Sequence, residues 1–197
     1  MIDLVAPEDM TVGGMPLMEA INSRRSRRQF VEEPLTLEEL SFLLWATQGV
    51  QEVTRSDTVL RTVPSAGARH PFETYLLVKR VTGLQPGLYR YLALEHKLCL
   101  LELGSKSTDS WYTKDCAVVF VWTAVPYRTE WRYTTISPKL IALDAGHVCQ
   151  NLYLACEAIH AGTCAIGAYN QEEMDAILGV DSVEEFTVYV APVGKIG

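Results

Sequence analysis

The sequence lacks a long hydrophobic run, a Cys-x-x-Cys pair and an excess of cationic residues. Its longest nearly uncharged apolar stretch covers residues 116–127, whereas a transmembrane helix needs about 20 such residues. Acidic residues occupy the N-terminus, where a secretory signal would carry a basic region followed by an apolar one, so no signal peptide is expected. The odd number of cysteines, five, favours free buried thiols in a reducing cytoplasm over disulfides or a zinc site.

The charge balance argues against a nucleic-acid partner. The 17 Lys and Arg residues are outnumbered by 24 Asp and Glu residues, which gives a formal net charge of −7, whereas a nucleic-acid backbone requires a cationic surface. One stretch departs from this average, because residues 24–28 read Arg-Arg-Ser-Arg-Arg. A solvated run of charge is one interpretation. The other is a bound anion, which would relieve the repulsion between four neighbouring guanidinium groups.

The hydrophobic pattern predicts one α+β domain over residues 1–197. Of the 197 residues, 48% are hydrophobic and 21% are charged, which is ordinary for a globular protein. Capping patterns and helical spacing of apolar residues predict helices that begin near residues 16, 36, 138 and 170. Apolar and β-branched runs predict strands over residues 74–81, 88–92, 98–103, 117–125, 163–168 and 186–193. Residues 50–63 are expected to form a loop.

The predicted helix over residues 138–160 is the longest and is apolar over most of its circumference. Such a helix lies at the centre of a fold or is shared with a partner chain.

No common catalytic or nucleotide-binding motif is present. The four histidines are dispersed, and the sequence contains no H-E-x-x-H, G-x-S-x-G, Walker or G-x-G-x-x-G motif. An enzyme with this sequence would therefore depend on a cofactor for its chemistry, with the protein supplying binding and orientation.

Four segments indicate which cofactor that is. Residues 24–30, Arg-Arg-Ser-Arg-Arg-Gln-Phe, offer guanidinium groups and a hydroxyl, which suit a phosphate with a polyol behind it. Residues 64–71, Pro-Ser-Ala-Gly-Ala-Arg-His-Pro, form a small-residue loop able to lie against an aromatic ring system. Residues 165–169, Ala-Ile-Gly-Ala-Tyr, allow a close backbone approach to a ligand, and residues 192–195, Pro-Val-Gly-Lys, add a late cation.

In this order, the four segments resemble the motifs of the flavin-dependent nitroreductase-like oxidoreductases: R-R-S-x-R-x-F, P-S-S/A-G-N-x-x-P, I-G-G-F and L-P-V-G. The resemblance spans residues 16–195. It implies a central mixed β-sheet flanked by helices, with one long central helix. It also implies FMN as the cofactor, NADH or NADPH as the electron donor, an organic acceptor such as a nitroaromatic or a quinone, and a cytoplasmic homodimer with FMN at its interface.

The resemblance also implies site residues. The FMN phosphate and ribityl chain would be bound by Arg24, Arg25, Ser26 and Arg28. The second motif would contact the flavin or ribityl chain, from the same subunit or its partner, through Ser65, Ala66 and Arg69. Backbone amides near flavin N5 would belong to Gly167 and Ala168, and Lys195 would help neutralise the phosphate.

Within that family, the sequence is most similar to the SagB-type branch, which includes azoline dehydrogenases. This similarity rests on residues 64–68, 86–91 and 144–152. The Lys-Tyr pair of the azoline oxidases aligns with Arg132-Tyr133, which are the candidate catalytic residues. Because arginine is permanently charged and a poor base, we expect reduction of a quinone or nitroaromatic and no azoline oxidation. Azoline dehydrogenation and flavin binding without turnover are the alternatives.

Overall fold

The computed structural model describes residues 1–104 and 113–197. The strands are β1 (Ile2–Asp3), β2 (Val50–Val53), β3 (Val59–Arg61), β4 (Phe72–Val78), β5 (Gly87–Leu92), β6 (Lys97–Leu103), β7 (Val118–Ala124), β8 (Ala161–Thr163) and β9 (Phe186–Lys195). The helices are α1 (Leu17–Ser23), α2 (Leu37–Gln48), α3 (Tyr127–Tyr133), α4 (Ser137–Glu157) and α5 (Gln171–Leu178).

Seven of the strands form the main sheet, in the order β1-β6-β5-β4-β7-β9-β8. All neighbouring strands in this order pair antiparallel. Among the described residues, parallel pairing is limited to single bridges, Ser26 with Thr163 and Leu35 with Val81. The α+β class with a central sheet is confirmed, and the parallel component of the expected mixed sheet is reduced to those bridges.

Both faces of the sheet are covered, which explains why β7 is continuously apolar. Phe120 and Trp122 lie in the core cluster that α2 and α4 cover. Their neighbours Val119 and Val121 lie in a second cluster, with Met174 of α5. Since successive side chains of a strand point to opposite faces, a strand buried on both sides needs apolar residues at every position.

The capping patterns locate two helices correctly. Thr36 and Glu39 form a complete capping box at the start of α2. Asn170 accepts a hydrogen bond from the Glu173 amide at the start of α5, and Gly179 ends that helix in the left-handed conformation. These local signals are visible in the sequence because each side chain satisfies a backbone donor a few residues away.

Other element predictions are wrong in part. Residues 50–63 contain the antiparallel β2–β3 hairpin instead of a loop, and α3 was not expected. The long helix ends at Glu157 instead of residue 160. Of the strand predicted over residues 163–168, only Thr163 belongs to β8, and Ile166 makes a single bridge to Val190.

The cysteines are free, and four of the five are buried. Burial raises the pKa of the Cys116 thiol to about 11 and that of Cys149 to about 12, so these thiols remain protonated and inert near neutral pH. In the described part of the chain, no helix combines the length and apolarity that a bilayer crossing requires.

Candidate functional site

The arginine run continues from the end of α1 along the edge of the sheet. The Arg24 amide donates to the Ala20 carbonyl at 3.0 Å and closes the helix. Ser26 then forms a parallel bridge with Thr163, and the Arg27 amide donates to the Thr163 carbonyl at 2.9 Å. The backbone of the run is therefore anchored to β8, which fixes the directions of its side chains.

Arg27 is the member of the run that pairs within the protein. Its Nε lies 3.4 Å from Oε1 of Glu157, a buried carboxylate at the end of α4. Within residues 1–104 and 113–197, no carboxylate forms an ion pair with Arg24, Arg25 or Arg28. Three guanidinium groups of the run thus remain uncompensated, and this is the property that an anion-binding surface requires.

Arg25 folds back on the helix that precedes it. Its Nη1 donates to the Asn22 carbonyl at 2.9 Å and to the Arg24 carbonyl at 2.8 Å. These bonds satisfy carbonyls at the C-terminal end of α1, where a cation is favoured. They leave other guanidinium donors of Arg25 for a ligand.

Tyr153 of α4 joins the arginine run to the segment after β8. The Arg24 guanidinium lies 5.4 Å from the centre of its ring, its hydroxyl is 3.0 Å from the Ser26 Oγ, and it accepts a hydrogen bond from the Ala165 amide at 2.8 Å. Sequence analysis missed this residue, because a tyrosine among apolar helix positions is usually a packing residue. Tyr153 therefore brings two of the four predicted segments together.

The segment that Tyr153 holds exposes two backbone amides. Ile166 exchanges hydrogen bonds with Val190, but Gly167 and Ala168 are exposed. Neither amide donates to another described residue. A side chain at Gly167 would meet no atom within 4 Å, so the surface beside these donors is open to a ligand.

The loop between β3 and β4 is held by a buried aspartate of α4. Ser65 Oγ donates to Asp144 Oδ2 at 2.6 Å, and the Ala66 amide lies 3.2 Å from both carboxylate oxygens. The same Ser65 oxygen accepts from the His70 amide at 2.9 Å. The polar groups of Ser65 and Ala66 thus serve the loop itself, and their contact with a flavin stays a prediction.

At Gly67, this loop lies in close contact with the end of α3. Its φ of 59° lies in the left-handed region, and a Cβ there would be 2.6 Å from the Tyr133 hydroxyl and 3.4 Å from the Arg132 Nε. The Arg69 guanidinium lies 5.1 Å from the centre of the Trp131 ring. Arg132, Tyr133 and the loop are therefore neighbours, and glycine is the residue that permits the close approach.

Lys195 has a partner that the sequence did not reveal. Its ammonium pairs with Glu39, and it also donates to the Ile159 carbonyl at 2.9 Å. The Lys195 side chain is 12% exposed. Its charge is already balanced inside the protein, so the predicted role in neutralising a phosphate receives no support from this arrangement.

Comparisons with known proteins agree with one another. The profile of the nitroreductase family matches residues 21–195. The protein named "Putative nitroreductase MJ1384" from Methanocaldococcus jannaschii is 31% identical over 186 residues, which are 91% of this chain and 90% of that protein. The trifolitoxin-processing protein TfxB of Rhizobium leguminosarum bv. trifolii is 27% identical over 161 residues, which are 76% of this chain and 38% of that protein.

Solved structures share the fold. A crystal structure named as a putative nitroreductase, from Ralstonia eutropha JMP134, aligns with a TM-score of 0.83 and 26% identity over 100% of this chain and 89% of that one. Another, from Desulfovibrio desulfuricans in complex with FMN, aligns with a TM-score of 0.59 and 15% identity over 91% of this chain and 86% of that one. The fold expected from the sequence is confirmed.

Proposed function

This chain belongs to the nitroreductase family, and we propose that it is an FMN-dependent oxidoreductase that passes hydride from NADH or NADPH to an organic acceptor such as a quinone or nitroaromatic. The observation that carries the proposal is the group of three uncompensated guanidinium groups, from Arg24, Arg25 and Arg28, beside the Ser26 hydroxyl. Such a set suits a phosphate attached to a polyol.

The described residues fit FMN in two respects. Among the described carboxylates, Glu157 is the one that forms an ion pair with the cationic run, and Arg27 already neutralises it. The free amides of Gly167 and Ala168 adjoin the run through Tyr153, and they can donate to the polar edge of a flavin. FMN, when bound, supplies the redox chemistry by accepting hydride from the nicotinamide and reducing the acceptor.

The proposal assigns a role to each residue of this site. Arg24 and Arg28 bind phosphate, with the remaining donors of Arg25, and Ser26 binds the ribityl chain. Asp144 positions the loop through its bonds to Ser65 and Ala66. The acceptor would enter at the outer face of the bound flavin, and we assign contacts with it to Arg69, Arg132 and Tyr133.

The geometry of α4 supports a site shared by two subunits. Asp144 holds the loop and Tyr153 contacts the arginine run, and these residues are nine positions apart. At about 3.6 residues per turn, nine residues make about 2.5 turns, so the two side chains leave opposite sides of the helix. One subunit would therefore combine its arginine run with the loop of a partner, in a homodimer whose exposed α4 faces meet.

Residues on the exposed face of α4 suit such a contact. Leu143 is 52% exposed, and Ala142 and Gly146 beside it are also exposed. Contiguous exposed apolar surface marks interaction sites, and twofold dimers are the commonest homo-oligomers. We place this dimer in the cytoplasm as one domain per chain, where the five free thiols would stay reduced.

Azoline dehydrogenation is the second candidate, favoured by the similarity to a trifolitoxin-processing protein. Arg132 weighs against it, because a guanidinium stays protonated and is a poor base, although it can hold an anionic or carbonyl group. We expect quinone or nitroaromatic reduction by the wild type, reduced turnover in Tyr133→Phe, and no oxidation of azoline peptides. Robust azoline oxidation by the wild type would make this second candidate the function.

Reconstitution with FMN tests the proposal itself. The purified protein, incubated with FMN and freed of excess by gel filtration, should retain about one flavin per chain. The bound flavin is measured by its absorbance near 450 nm, a property of flavin itself, which carries the chemistry. Protein that elutes colourless after this treatment would exclude an FMN enzyme.

A further inference from the structure

A second cavity lies outside the proposed flavin site. Its volume is about 520 Å³, and it is open to solvent on one side. It is lined by the β2–β3 hairpin, parts of β4 and β5, the distal half of the loop after β3, Gln48 of α2 and Arg128 of α3. Small-molecule sites commonly measure about 300–1,000 Å³, so this cavity could hold an organic molecule and is too large for a lone ion.

Arg61 places a partly buried positive charge beside this cavity. Its Nη1 donates to Gln48 Oε1 at 2.6 Å, but its Nε is buried without a hydrogen-bond partner among the described residues. No described carboxylate forms an ion pair with it. Burial lowers the pKa of the Arg61 guanidinium, and Glu73 offsets this only in part. A buried charge without a counterion is costly.

Glu73, a carboxylate of the same cavity whose charge acts on Arg61, is already engaged. It forms ion pairs with Arg90, at 3.0 Å, and with Arg128. Burial opposes its ionisation, but hydrogen bonding and the charges of both arginines hold the pKa of Glu73 below its usual value. Glu73 is therefore an ionised carboxylate shared by two other arginines, so Arg61 has no counterion of its own among the residues that the structure describes.

Gln48 provides an independent indication of a missing ligand. This residue is 1% exposed, and its Nε2 has no hydrogen-bond partner among the described residues. Buried amide groups are nearly always satisfied. Gln48 lines the same cavity as Arg61 and accepts a hydrogen bond from it, so two residues that each hold an unsatisfied donor lie together at one cavity.

The charges around the cavity also favour an anion. Its lining carries the guanidinium groups of Arg61, Arg69 and Arg128 against the carboxylates of Asp57 and Glu73. The local excess is positive in a chain whose net charge is −7. A carboxylate or phosphate group entering here would gain charge-assisted hydrogen bonds in a partly desolvated setting.

We propose that this cavity binds a small organic oxyanion, whose carboxylate or phosphate group is held by the Arg61 guanidinium and the Gln48 amide. The proposal does not depend on FMN, because the cavity shares no residue with the Arg24–Arg28 run. It does share Arg69 with the loop of the proposed flavin site. An occupant of the cavity would therefore also contact that loop, through Arg69.

Calorimetric titration of the FMN-loaded protein at low ionic strength tests this inference, with succinate and inorganic phosphate as separate probes. Saturating FMN fills the other anion site. We expect at least one probe to bind, and Arg61→Gln to weaken that binding tenfold or more, since a charge-assisted contact is lost. Arg55→Gln, an exposed arginine of the same hairpin, is the matched control and should change binding less than twofold.

A thermal unfolding series keeps the test informative if Arg61→Gln folds poorly. The probe that binds should raise the melting temperature of the wild type and of Arg55→Gln, and it should raise that of Gln48→Leu less. Binding of succinate alone indicates a carboxylate ligand, and binding of phosphate alone indicates a phosphate ester. The inference is overturned if neither probe binds, or if Arg61→Gln binds the probe as tightly as the wild type.

Discussion

Arg24 and Arg27 show how residues of one type in one run acquire different roles. Arg27 lies against a buried carboxylate, Glu157, whereas Arg24 lies over the ring of Tyr153 without a counterion among the described residues. The difference comes from α4, which presents both Glu157 and Tyr153 to the run. The chemistry available to each arginine is thus decided by residues about 130 positions away in sequence.

Replacement of Arg24 should separate ligand binding from folding. Arg24→Ala removes a charge-assisted contact worth roughly 1.5–3 kcal/mol, so we expect FMN affinity to fall about ten- to a hundredfold with little change in unfolding free energy. Fluorescence titration with FMN and urea denaturation measure the two effects.

Arg27→Ala is the matched comparison, and it should behave in the opposite way. It leaves the buried Glu157 carboxylate unpaired, at a cost of roughly 1–3 kcal/mol of unfolding free energy. If Arg24→Ala binds FMN as the wild type does, the run is a solvated stretch of charge and not a phosphate site.

His70 makes folding stability depend on pH. Burial, followed by the charge of Arg61, lowers the pKa of His70 from 6.5 to about 4. Between these pH values the unfolded chain binds a proton at His70 that the folded chain does not, so stability falls as the pH drops through this window.

Urea denaturation at pH 7 and pH 5 measures this effect. The wild type should lose roughly 1–2 kcal/mol more than His70→Asn over this interval, because one proton contributes about 1.4 kcal/mol per pH unit. Asparagine is the chosen replacement because it tolerates the left-handed φ of 46° at this position. Identical losses in the two proteins would assign the pH dependence to other groups.

At the scale of elements, local signals were sufficient for some helices and absent for others. The capping box of α2 and the Asn170 cap of α5 were readable because they involve neighbours in sequence. The α3 helix was missed because Tyr, Trp and Thr are common in its sequence and favour strands, and its contact with α4 is not visible in the sequence. The β2–β3 hairpin was missed because its residues are largely exposed and show no apolar run.

The exposed face of α4 provides an element-scale test of the dimer. Leu143→Glu places a charge at the centre of the proposed contact, and we expect a folded monomer with weakened FMN binding, because each site would lose the partner's loop. Leu101→Glu, at a similarly exposed position on β6, should remain dimeric. Analytical ultracentrifugation distinguishes the two, and a Leu143→Glu dimer as stable as the wild type would place the interface elsewhere.

At the scale of the whole molecule, the sequence allowed prediction of the fold class and of the family, but not of how the four motif segments meet. The order of four motifs was sufficient to indicate the nitroreductase family, which the family profile over residues 21–195 confirms. The ion pair of Lys195 with Glu39, and the placement of Asp144 and Tyr153 on opposite sides of α4, depend on tertiary packing. Such long-range pairings leave no local pattern in a single sequence.

Anaerobic mixing of the FMN-loaded protein with NADH or NADPH tests the proposed function most directly. The account predicts that the absorbance near 450 nm, which belongs to oxidised flavin, is lost on addition of one of the two nucleotides and returns when a quinone or nitroaromatic is added. It also predicts that Arg24→Ala requires more FMN to give the same amplitude. A bound flavin whose spectrum does not change with either nucleotide would contradict the account and would indicate a protein that holds flavin without turnover.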